Sequence, residues 1–386
     1  MDGSLVTTTQ DRSAPVWSAL HMNKALRLGA AAGPIGPSQC HCKTQAEGLA
    51  VKRLLETSVD KRGRDMEQVR LGRSDLVVSR LALGTWQLGG DWGPTDTAEA
   101  LGAIRRAADL GVTFFDTAQA YGFGQSEQLL SAALRAIARE QVVIATKGGL
   151  RATDGGLVRD ASAGWIRQGI EASLRALDTD YVDLYQVHWP DLATPYSETA
   201  EALASLKAEG KVRHVGVANF DVEQMKAFEA TLPVETLQPS YNLFRRDIEA
   251  QVLPYAAMHD IGVLVCGPLA HGLLSAKLGP STRFARDDWR SKSLMFQGEP
   301  YDRNLRVVAG LGGLATELGL TLPQLAISWT LANSDVHVAI VGTRDHEHVD
   351  EAVVAAQVEL DDEVIQQINA LVVTAVPVVG PSPEGM

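Results

Sequence analysis

The sequence predicts an α/β protein whose main domain is a (β/α)8 barrel, the TIM-barrel fold, and three observations predict it. From Met66 onward, short apolar runs rich in β-branched residues alternate with stretches of roughly ten to fifteen residues that have the apolar spacing of amphipathic helices. There are eight such runs, which is the number of strands in this barrel. Most runs are apolar at consecutive positions, as expected of parallel strands covered on both faces.

We predict the eight strands from these runs. In chain order they cover residues 81–83, 113–115, 142–145, 182–187, 212–217, 236–237, 263–265 and 338–340. Most intervals between successive strand ends have the length of one strand–helix unit. Only the interval before the last strand is much longer.

Helices are predicted between the strands from apolar residues at helical spacing. They cover residues 97–109, 163–177 and 197–209. Gly111 and Gly210 follow two of these segments and act as stop signals. The alternative fold is an open doubly wound sheet, whose first strand is followed by a G-x-G-x-x-G turn. Gly84-Thr85-Trp86-Gln87 follows the first predicted strand instead, and no such motif opens a helix, so the barrel is favoured.

The composition excludes several classes of protein. With 45% hydrophobic and 21% charged residues, the 386-residue chain is an ordinary globular sequence. Its net charge of −12 comes without a basic stripe, so we expect no nucleic-acid partner. No apolar run approaches the roughly 18 to 20 residues that cross a bilayer, so we expect no membrane association and a cytoplasmic protein.

The 3 cysteines indicate a reducing compartment and no metal site. Cys40 and Cys42 flank His41, and Cys266 stands alone in an apolar run, so there is no disulfide framework. Three adjacent residues do not supply the spaced ligands of a metal site. We therefore expect a plain loop at 40–42, a core residue at Cys266 and no bound metal.

The first 65 residues differ from the rest in composition. They carry nine Lys/Arg against six Asp/Glu and show no sustained helix or strand period. We predict a poorly ordered N-terminal extension (1–65), the barrel (66–373) and a flexible C-terminal tail (374–386). A targeting peptide would be poor in acidic residues, so an upstream start codon before a natural start at Met66 is favoured over targeting.

In a barrel of this kind, chemistry is expected at the C-terminal ends of the strands. Asp116 and Lys147 end the second and third predicted strands, and a desolvated ammonium needs a carboxylate partner. Tyr121 follows Asp116 by a short turn that can bring its phenol near Lys147. An adjacent cation favours phenolate and would lower the pKa of tyrosine from about 10, as a general acid near neutral pH requires. His188 ends the fourth strand and can orient the same carbonyl oxygen.

Each of these four side chains has a common structural role by itself: a buried salt bridge, a turn tyrosine or a histidine bonded to backbone. Together, at the ends of three successive strands, they are better explained by one catalytic site. No nucleophile elbow, metal-binding helix or second carboxylate for glycoside hydrolysis competes with them in the sequence.

Five motifs resemble the aldo-keto reductase superfamily in order and spacing. They are Asp116-Thr-Ala-Gln-Ala-Tyr121-Gly, Ala-Thr-Lys147, Val-His188-Trp-Pro, Val-Gly-Val-Ala-Asn219-Phe and Ile-Val-Gly342-Thr-Arg. The resemblance covers Met66 to about Val373 and is strongest to the bacterial branch with inositol-utilisation reductases and to potassium-channel β subunits. It implies that residues 69–79 form a hairpin that plugs the barrel bottom and that an extra helix follows the barrel.

The resemblance implies an oxidoreductase that reduces aldehydes or ketones to alcohols, or runs the reverse reaction, by hydride transfer from a nicotinamide. Tyr121 would be the general acid, Lys147 and Asp116 would tune its pKa, and His188 would orient the carbonyl. NADP(H) is the expected cofactor and NAD(H) the alternative. A guanidinium at Arg344 suits a 2′-phosphate, and Lys277 could add to this contact.

Position by position, the resemblance also implies a cofactor site. Its residues are Gly84, Thr85, Trp86, Asn219, Gln238, Tyr241, Pro268, Leu269, Lys277, Gly342, Thr343, Arg344, His348 and Glu351. Asn219 and Gln238 would bind the carboxamide, and Tyr241 would stack on the nicotinamide ring. Three positions depart from the usual family pattern: Ala218, His348 and Ala352. Asp345 also adds a negative charge beside the expected phosphate, so the expected NADP preference is weakened.

Trp86, Phe123 and Trp189 would line the substrate mouth together with segment 281–301. The rings of that segment are Phe284, Trp289 and Phe296. They favour an apolar or ring-bearing carbonyl, unless the segment only packs on the barrel rim. The expected partner is a small carbonyl or alcohol substrate, and the sequence leaves its identity and the oligomeric state open. The alternative function is a cofactor-sensing regulatory subunit with little turnover, as in the channel β subunits of the superfamily.

Overall fold

The computed structural model describes residues 66–90, 92, 96–285 and 288–383. The predictions for the N-terminal extension, Cys40 and Cys42 included, lie outside the described residues and stay predictions. The described chain forms a closed eight-stranded parallel barrel surrounded by helices. This confirms the predicted fold.

A hairpin precedes the barrel and closes its bottom. Strand β1 (Gln68–Arg70) pairs antiparallel with β2 (Val77–Ser79). Leu71, Leu76 and Val78 are buried and pack against apolar side chains inside the barrel. Burial of such a side chain contributes about 1.5–3 kcal/mol, so the hairpin is held in the barrel as a hydrophobic plug.

Ten further strands follow the hairpin. In chain order they are β3 (Leu81–Gly84), β4 (Phe114–Asp116), β5 (Val143–Gly148), β6 (Leu150–Thr153), β7 (Gly156–Arg159), β8 (Val182–Val187), β9 (Val212–Ala218), β10 (Thr236–Gln238), β11 (Gly262–Cys266) and β12 (Val338–Gly342). All except β6 and β7 belong to the barrel, which closes where β12 pairs with β3. Every predicted strand is present, and the parallel order places all C-terminal strand ends at one rim.

Ten α-helices belong to the described chain. They are α1 (Thr97–Asp109), α2 (Gln125–Leu134), α3 (Ala163–Leu177), α4 (Tyr196–Ala208), α5 (Val222–Glu229), α6 (Val252–Met258), α7 (Gly298–Glu317), α8 (Leu322–Ala332), α9 (His346–Ala355) and α10 (Asp362–Val372). The helices predicted at 97–109 and 163–177 are confirmed at both ends, and α4 begins one residue before its predicted start. Asp96 caps α1 by accepting from the N–H groups of Ala98 and Glu99. The long interval before β12 holds both α7 and α8, and α10 is the expected extra helix.

The hairpin of β6 and β7 is absent from the predicted elements. Asp154 and Gly155 form its two-residue turn. Asp-Gly between apolar segments is a strong hairpin signal, so this element could have been found in the sequence. Leu150 and Leu157 of the hairpin line the cavity at the barrel rim.

The segment after α10 returns to the barrel. Asn304 donates to the carbonyl oxygen of Val376 (2.9 Å) and accepts from the N–H of the same residue (2.8 Å). Val378 is fully buried, and its N–H donates to the carbonyl oxygen of Phe244 (3.0 Å). Residues 379–382 line the cavity at the rim. These hydrogen bonds hold residues 376 and 378 against the barrel, and the flexibility of the tail 374–386 stays a prediction.

No single helix among the described residues is long and apolar enough to cross a membrane. The bent pair α7 and α8 passes the same test by length and composition only, and most of α8 is buried. In the same part of the chain, no group of three or more His, Cys, Asp or Glu side chains is placed to hold a metal ion.

Candidate active site

A large cavity opens at the rim formed by the C-terminal strand ends. Its volume is about 1380 Å³, which exceeds the roughly 300–1,000 Å³ of typical small-molecule sites. Asp116, Tyr121 and His188 line the cavity, and Lys147 contacts Tyr121 from inside the barrel. The four predicted catalytic side chains are therefore brought together.

The Lys147 ammonium is the centre of this group. Its Nζ lies 2.6 Å from Asp116 Oδ2, 2.9 Å from the carbonyl oxygen of Thr117 and 3.3 Å from Tyr121 Oη. The other carboxylate oxygen of Asp116 accepts from the Gln238 amide at 2.8 Å. Lys147 is only 1% exposed, so its charge has three fixed partners and almost no contact with solvent.

Lys147 is positively charged despite its burial. Burial alone would lower the pKa of the ammonium, but the Asp116 carboxylate and the Tyr121 hydroxyl raise it to about 12. An uncompensated charge in this position would be costly, and the carboxylate supplies the compensation.

The ionisation of Tyr121 corrects an expectation from the sequence. Burial raises the pKa of the phenol from 10.0 to about 12, and the Lys147 ammonium only opposes this rise. The expected net lowering of the pKa is wrong for this structure, because removal of water from the phenolate outweighs the nearby cation. Tyr121 is therefore a neutral phenol that holds a proton at Oη.

His188 faces Tyr121 edge-on, with 5.7 Å between the ring centroids. Burial, assisted by the Lys147 charge, lowers the pKa of His188 well below 6.5, so the imidazole is neutral. Its Nδ1 has no hydrogen-bond partner within the described chain. Asn219 donates to the His188 carbonyl oxygen at 3.0 Å and so fixes the backbone of this strand end.

Thirteen of the fourteen predicted cofactor residues line the cavity. They are Gly84, Thr85, Trp86, Asn219, Gln238, Pro268, Leu269, Lys277, Gly342, Thr343, Arg344, His348 and Glu351. Lys277 Nζ lies 2.7 Å from His348 Nε2, and the Asp345 carboxylate accepts from the Glu347 N–H at the start of α9. The cationic groups and the helix start thus lie in one region of the cavity wall.

Tyr241 is the exception, and its predicted stacking on nicotinamide is corrected. The residue is 1% exposed, its ring stacks on Trp329 at 5.1 Å, and its hydroxyl donates to Glu249 at 2.6 Å. It therefore packs between the barrel and the outer helices. Ser240 and Cys266 line the cavity instead.

Two of the three predicted substrate residues, Trp86 and Trp189, line the cavity. Phe123 does not, and this prediction is wrong. Gly122, Phe123 and Gly124 all have positive φ angles (66°, 45° and 108°), and this turn directs the 46% exposed Phe123 ring away from the rim to a separate cavity of about 240 Å³.

The aromatic residues of segment 281–301 pack against one another. Phe296 contacts both Phe284 and Trp289 edge-on, at 5.4 and 5.8 Å between centroids. None of the three lines the cavity. This arrangement matches the alternative in which the segment packs on the barrel rim, and a contact of these rings with a substrate stays a prediction.

Several cavity residues escaped the sequence reasoning. They are Trp92, Leu150, Leu157, Ser240, Arg245, Cys266 and residues 379–382. Ser240 and Arg245 closely follow the Gln238 strand end, so the strand-end rule could have found them. No local signal marks residues 379–382, because tertiary hydrogen bonds bring them to the rim.

The donor set of the cavity fits a nicotinamide dinucleotide. Lys277, Arg245 and Arg344 place three cationic side chains in the wall, as an anionic diphosphate ligand requires. Ser240 Oγ is buried there without a hydrogen-bond partner in the described chain, and such a group calls for a ligand or water. The volume is sufficient for a dinucleotide and a small substrate together.

Known proteins are similar to this chain in both sequence and fold. Residues 80–373 match the aldo/keto reductase family. The chain is 43% identical over 282 residues to aldo-keto reductase YhdN of Bacillus subtilis, which covers 72% of this chain and 85% of that protein. It is 33% identical over 314 residues to an NADH-specific methylglyoxal reductase of Escherichia coli (77% and 95% covered). It is also 34% identical over 329 residues to a probable voltage-gated potassium channel subunit beta of Oryza sativa (80% and 97% covered).

A solved structure gives the same result. The glycerol dehydrogenase of Gluconobacter oxydans superposes with a TM-score of 0.75 at 36% identity, over 83% of this chain and 99% of that one. The similarity therefore extends over nearly the whole length of a known enzyme.

Proposed function

The chain belongs to the aldo/keto reductase family of oxidoreductases, and from this premise we propose that it interconverts carbonyl compounds and alcohols with NADP(H). Tyr121 is the proton donor in reduction and the proton acceptor in the reverse reaction. The observation that carries this proposal is the 3.3 Å contact between the Lys147 ammonium and the Tyr121 hydroxyl.

The arrangement suits a proton donor that must stay protonated until reaction. Burial keeps the Tyr121 proton on Oη in the resting site. When the proton moves to a carbonyl oxygen that gains negative charge, the phenolate that remains is stabilised by Lys147. Asp116 holds the ammonium in place for this role.

His188 contributes orientation. A neutral imidazole beside Tyr121 can donate a hydrogen bond to the same carbonyl oxygen without adding a second positive charge. A bound nicotinamide would supply or accept the hydride. Asn219, Ser240 and Cys266 line the wall near these groups and are suited to hold its ring and carboxamide.

The charges in the wall support NADP(H) over NAD(H). Lys277 and Arg344 offer an ammonium and a guanidinium, which suit a phosphate. Of the negative groups in the same region, Asp345 is engaged in capping α9 through the Glu347 N–H at 2.9 Å, and Glu351 accepts from the Thr321 hydroxyl. Glu347 also lines this wall. The Escherichia coli relative is NADH-specific by name, so the preference of this chain needs its own measurement.

The walls near Tyr121 support a neutral, apolar or ring-bearing carbonyl as substrate. Trp86 stacks on Tyr121 with 6.3 Å between centroids, and Trp92, Trp189 and Leu157 extend the apolar surface. Relatives are named for methylglyoxal and glycerol, so small polar substrates belong in the same test panel.

We expect Tyr121→Phe to reduce kcat by about 10²–10⁴-fold, the usual contribution of general acid–base catalysis. The ring and its packing stay, so NADPH affinity should be unchanged in a fluorescence titration. The measurement is the loss of reduced-nicotinamide absorbance with a panel of aldehydes, ketones and polyols.

The matched control is Tyr255→Phe, which removes a hydroxyl that donates to Glu229 at 2.7 Å and does not line the cavity. Its activity should equal that of the wild type. Wild-type turnover in Tyr121→Phe would show that the proton donor is a different group.

A second candidate function is favoured by the channel-subunit relative: a cofactor-sensing partner subunit. It predicts tight NADP(H) binding with negligible turnover over the whole panel. Steady turnover of any carbonyl by the wild type that is lost in Tyr121→Phe would decide for the enzyme.

A further inference from the structure

Three buried hydroxyls connect the ends of β3 and β4 with the start of α2. Thr85, Thr117 and Ser126 are each 0% exposed. Ser126 Oγ lies 2.8 Å from Thr85 Oγ1, 2.9 Å from the Thr85 carbonyl oxygen and 3.2 Å from Thr117 Oγ1. The Thr85 hydroxyl in turn donates to the carbonyl oxygen of Asp116 at 3.1 Å.

The protons of this cluster can form one directed chain. Each hydroxyl donates once, so a chain that starts at Thr117 and ends on the Asp116 carbonyl lets all three donate. Hydrogen bonds in such a chain polarise and strengthen one another. The cluster therefore ties three elements together through groups with no exposure to solvent.

The chain ends on the peptide that holds the catalytic lysine. The Asp116 carbonyl oxygen accepts from both the N–H (2.9 Å) and the hydroxyl of Thr85. On either side of that peptide, the Asp116 carboxylate and the Thr117 carbonyl oxygen bind Lys147 Nζ at 2.6 and 2.9 Å. A rotation of this peptide would move both groups relative to Tyr121.

We propose that Thr85, Thr117 and Ser126 are positioning residues that fix the Lys147 ammonium at its contact distance from the Tyr121 hydroxyl. The inference rests on the proposed function of Tyr121 and Lys147. The family resemblance implies that Thr85 binds the cofactor. The inference gives its side chain a second role, because the Thr85 hydroxyl is hydrogen-bonded to Asp116 and Ser126.

A loss of positioning has a consequence that a loss of stability does not have. A looser Lys147 stabilises the Tyr121 phenolate less, because the energy of a charge contact falls with distance. Alcohol oxidation needs the phenolate as proton acceptor. Its rise with pH should therefore move to higher pH, while cofactor affinity stays the same in Ser126→Ala, whose side chain does not line the cavity.

The test compares substitutions that remove a hydroxyl but keep a side chain of similar size with a substitution that keeps the hydroxyl. Thr85→Val and Ser126→Ala should lower kcat about tenfold, as small displacements of catalytic groups do, and should shift the oxidation profile to higher pH. Thr117→Val should do the same, whereas Thr117→Ser keeps the hydroxyl at a residue that does not line the cavity and should keep both values within about twofold. The control Thr330→Val removes a buried hydroxyl that donates to Ala326 within α8 (2.9 Å) and should change neither.

Crystal structures of the wild type and Thr85→Val give a readout independent of turnover. A lengthened contact between Lys147 and Tyr121 supports the inference. An unchanged contact, or a wild-type pH profile in Thr85→Val and Ser126→Ala, overturns it, and so does an equal loss of kcat in Thr330→Val. A wild-type protein without turnover, combined with a lengthened contact in the variant, would refute the proposed function and leave the positioning role standing.

Discussion

Tyr121 and His188 share a buried site with the Lys147 ammonium, and burial is the larger cause of both pKa shifts. The phenol stays protonated and the imidazole stays neutral, so the charge among these four side chains is that of the ion pair of Lys147 with Asp116. A neutral donor beside a fixed cation is suited to a reaction that creates negative charge on oxygen.

The pH dependence of the two directions follows from these states. Reduction needs protonated Tyr121, which is present below its folded-state pKa of about 12, so its kcat should be constant from about pH 6 to 9. Oxidation needs the phenolate, so its kcat should rise with pH over the same range. Assays that follow nicotinamide absorbance in both directions measure the two pH profiles. A reduction rate that falls between about pH 7 and 9 would contradict it.

We also expect the preference for NADP(H) over NAD(H) to depend on a single residue, Arg344. Arg344→Leu should raise KM for NADPH about ten- to a hundredfold, the worth of charge-assisted hydrogen bonds of about 1.5–3 kcal/mol, and change KM for NADH by less than about threefold. Arg303→Leu, at a surface ion pair with Glu299 on α7, is the control and should behave as the wild type. Equal losses with both cofactors would show that Arg344 does not read the 2′-phosphate.

At the scale of helices and strands, local sequence signals were sufficient to predict most elements of the barrel. Asp96 and Ser162 cap α1 and α3 by accepting from N–H groups of the first turn, at the two helix starts that the apolar spacing predicts. The Asp-Gly turn of β6 and β7 carried an equally clear signal. Phe123 was misplaced because three consecutive positive φ angles decide where that turn points.

The two hydrogen bonds between Asn304 and the backbone of Val376 hold the C-terminal segment against the barrel, and we call them the C-terminal clamp. Asn304→Leu leaves the N–H and carbonyl of Val376 unpaired, so we expect a loss of about 1–3 kcal/mol in the free energy of unfolding, measured by urea denaturation. KM for bulky carbonyls should also change, because residues 379–382 form part of the wall.

Gln366→Leu, at an exposed position of α10, is the control for this clamp and should change stability by less than about 0.5 kcal/mol. An Asn304→Leu protein as stable as the wild type would show that the segment is not held by these bonds.

The net negative charge of the whole protein repels the proposed cofactor. Its net charge is −12, and a dinucleotide is an anion, so binding must rely on local cations such as Lys277, Arg245 and Arg344. Raising the salt concentration should weaken both the local attraction and the overall repulsion.

The hairpin, barrel and C-terminal clamp form a closed structure from residue 66 onward. We therefore expect a chain that begins at Met66 to keep kcat, KM and the thermal midpoint of the full chain. Steady-state kinetics and a thermal melt of the two proteins measure this. Loss of activity in the shortened protein would give residues 1–65 a role in the fold or in the site.

The sequence alone determined the eight strands and placed the four proposed catalytic residues at their ends, because strand periodicity and the geometry of parallel strand ends are local properties. The cofactor residues were proposed from the family resemblance and stay a proposal. Tertiary structure decided the ionisation of Tyr121, the burial of Tyr241 and the return of residues 379–382 to the rim. These depend on which distant groups exclude water or accept a hydrogen bond. Asn304 and Val376 meet only after the chain has folded, and no pattern within either segment encodes that meeting.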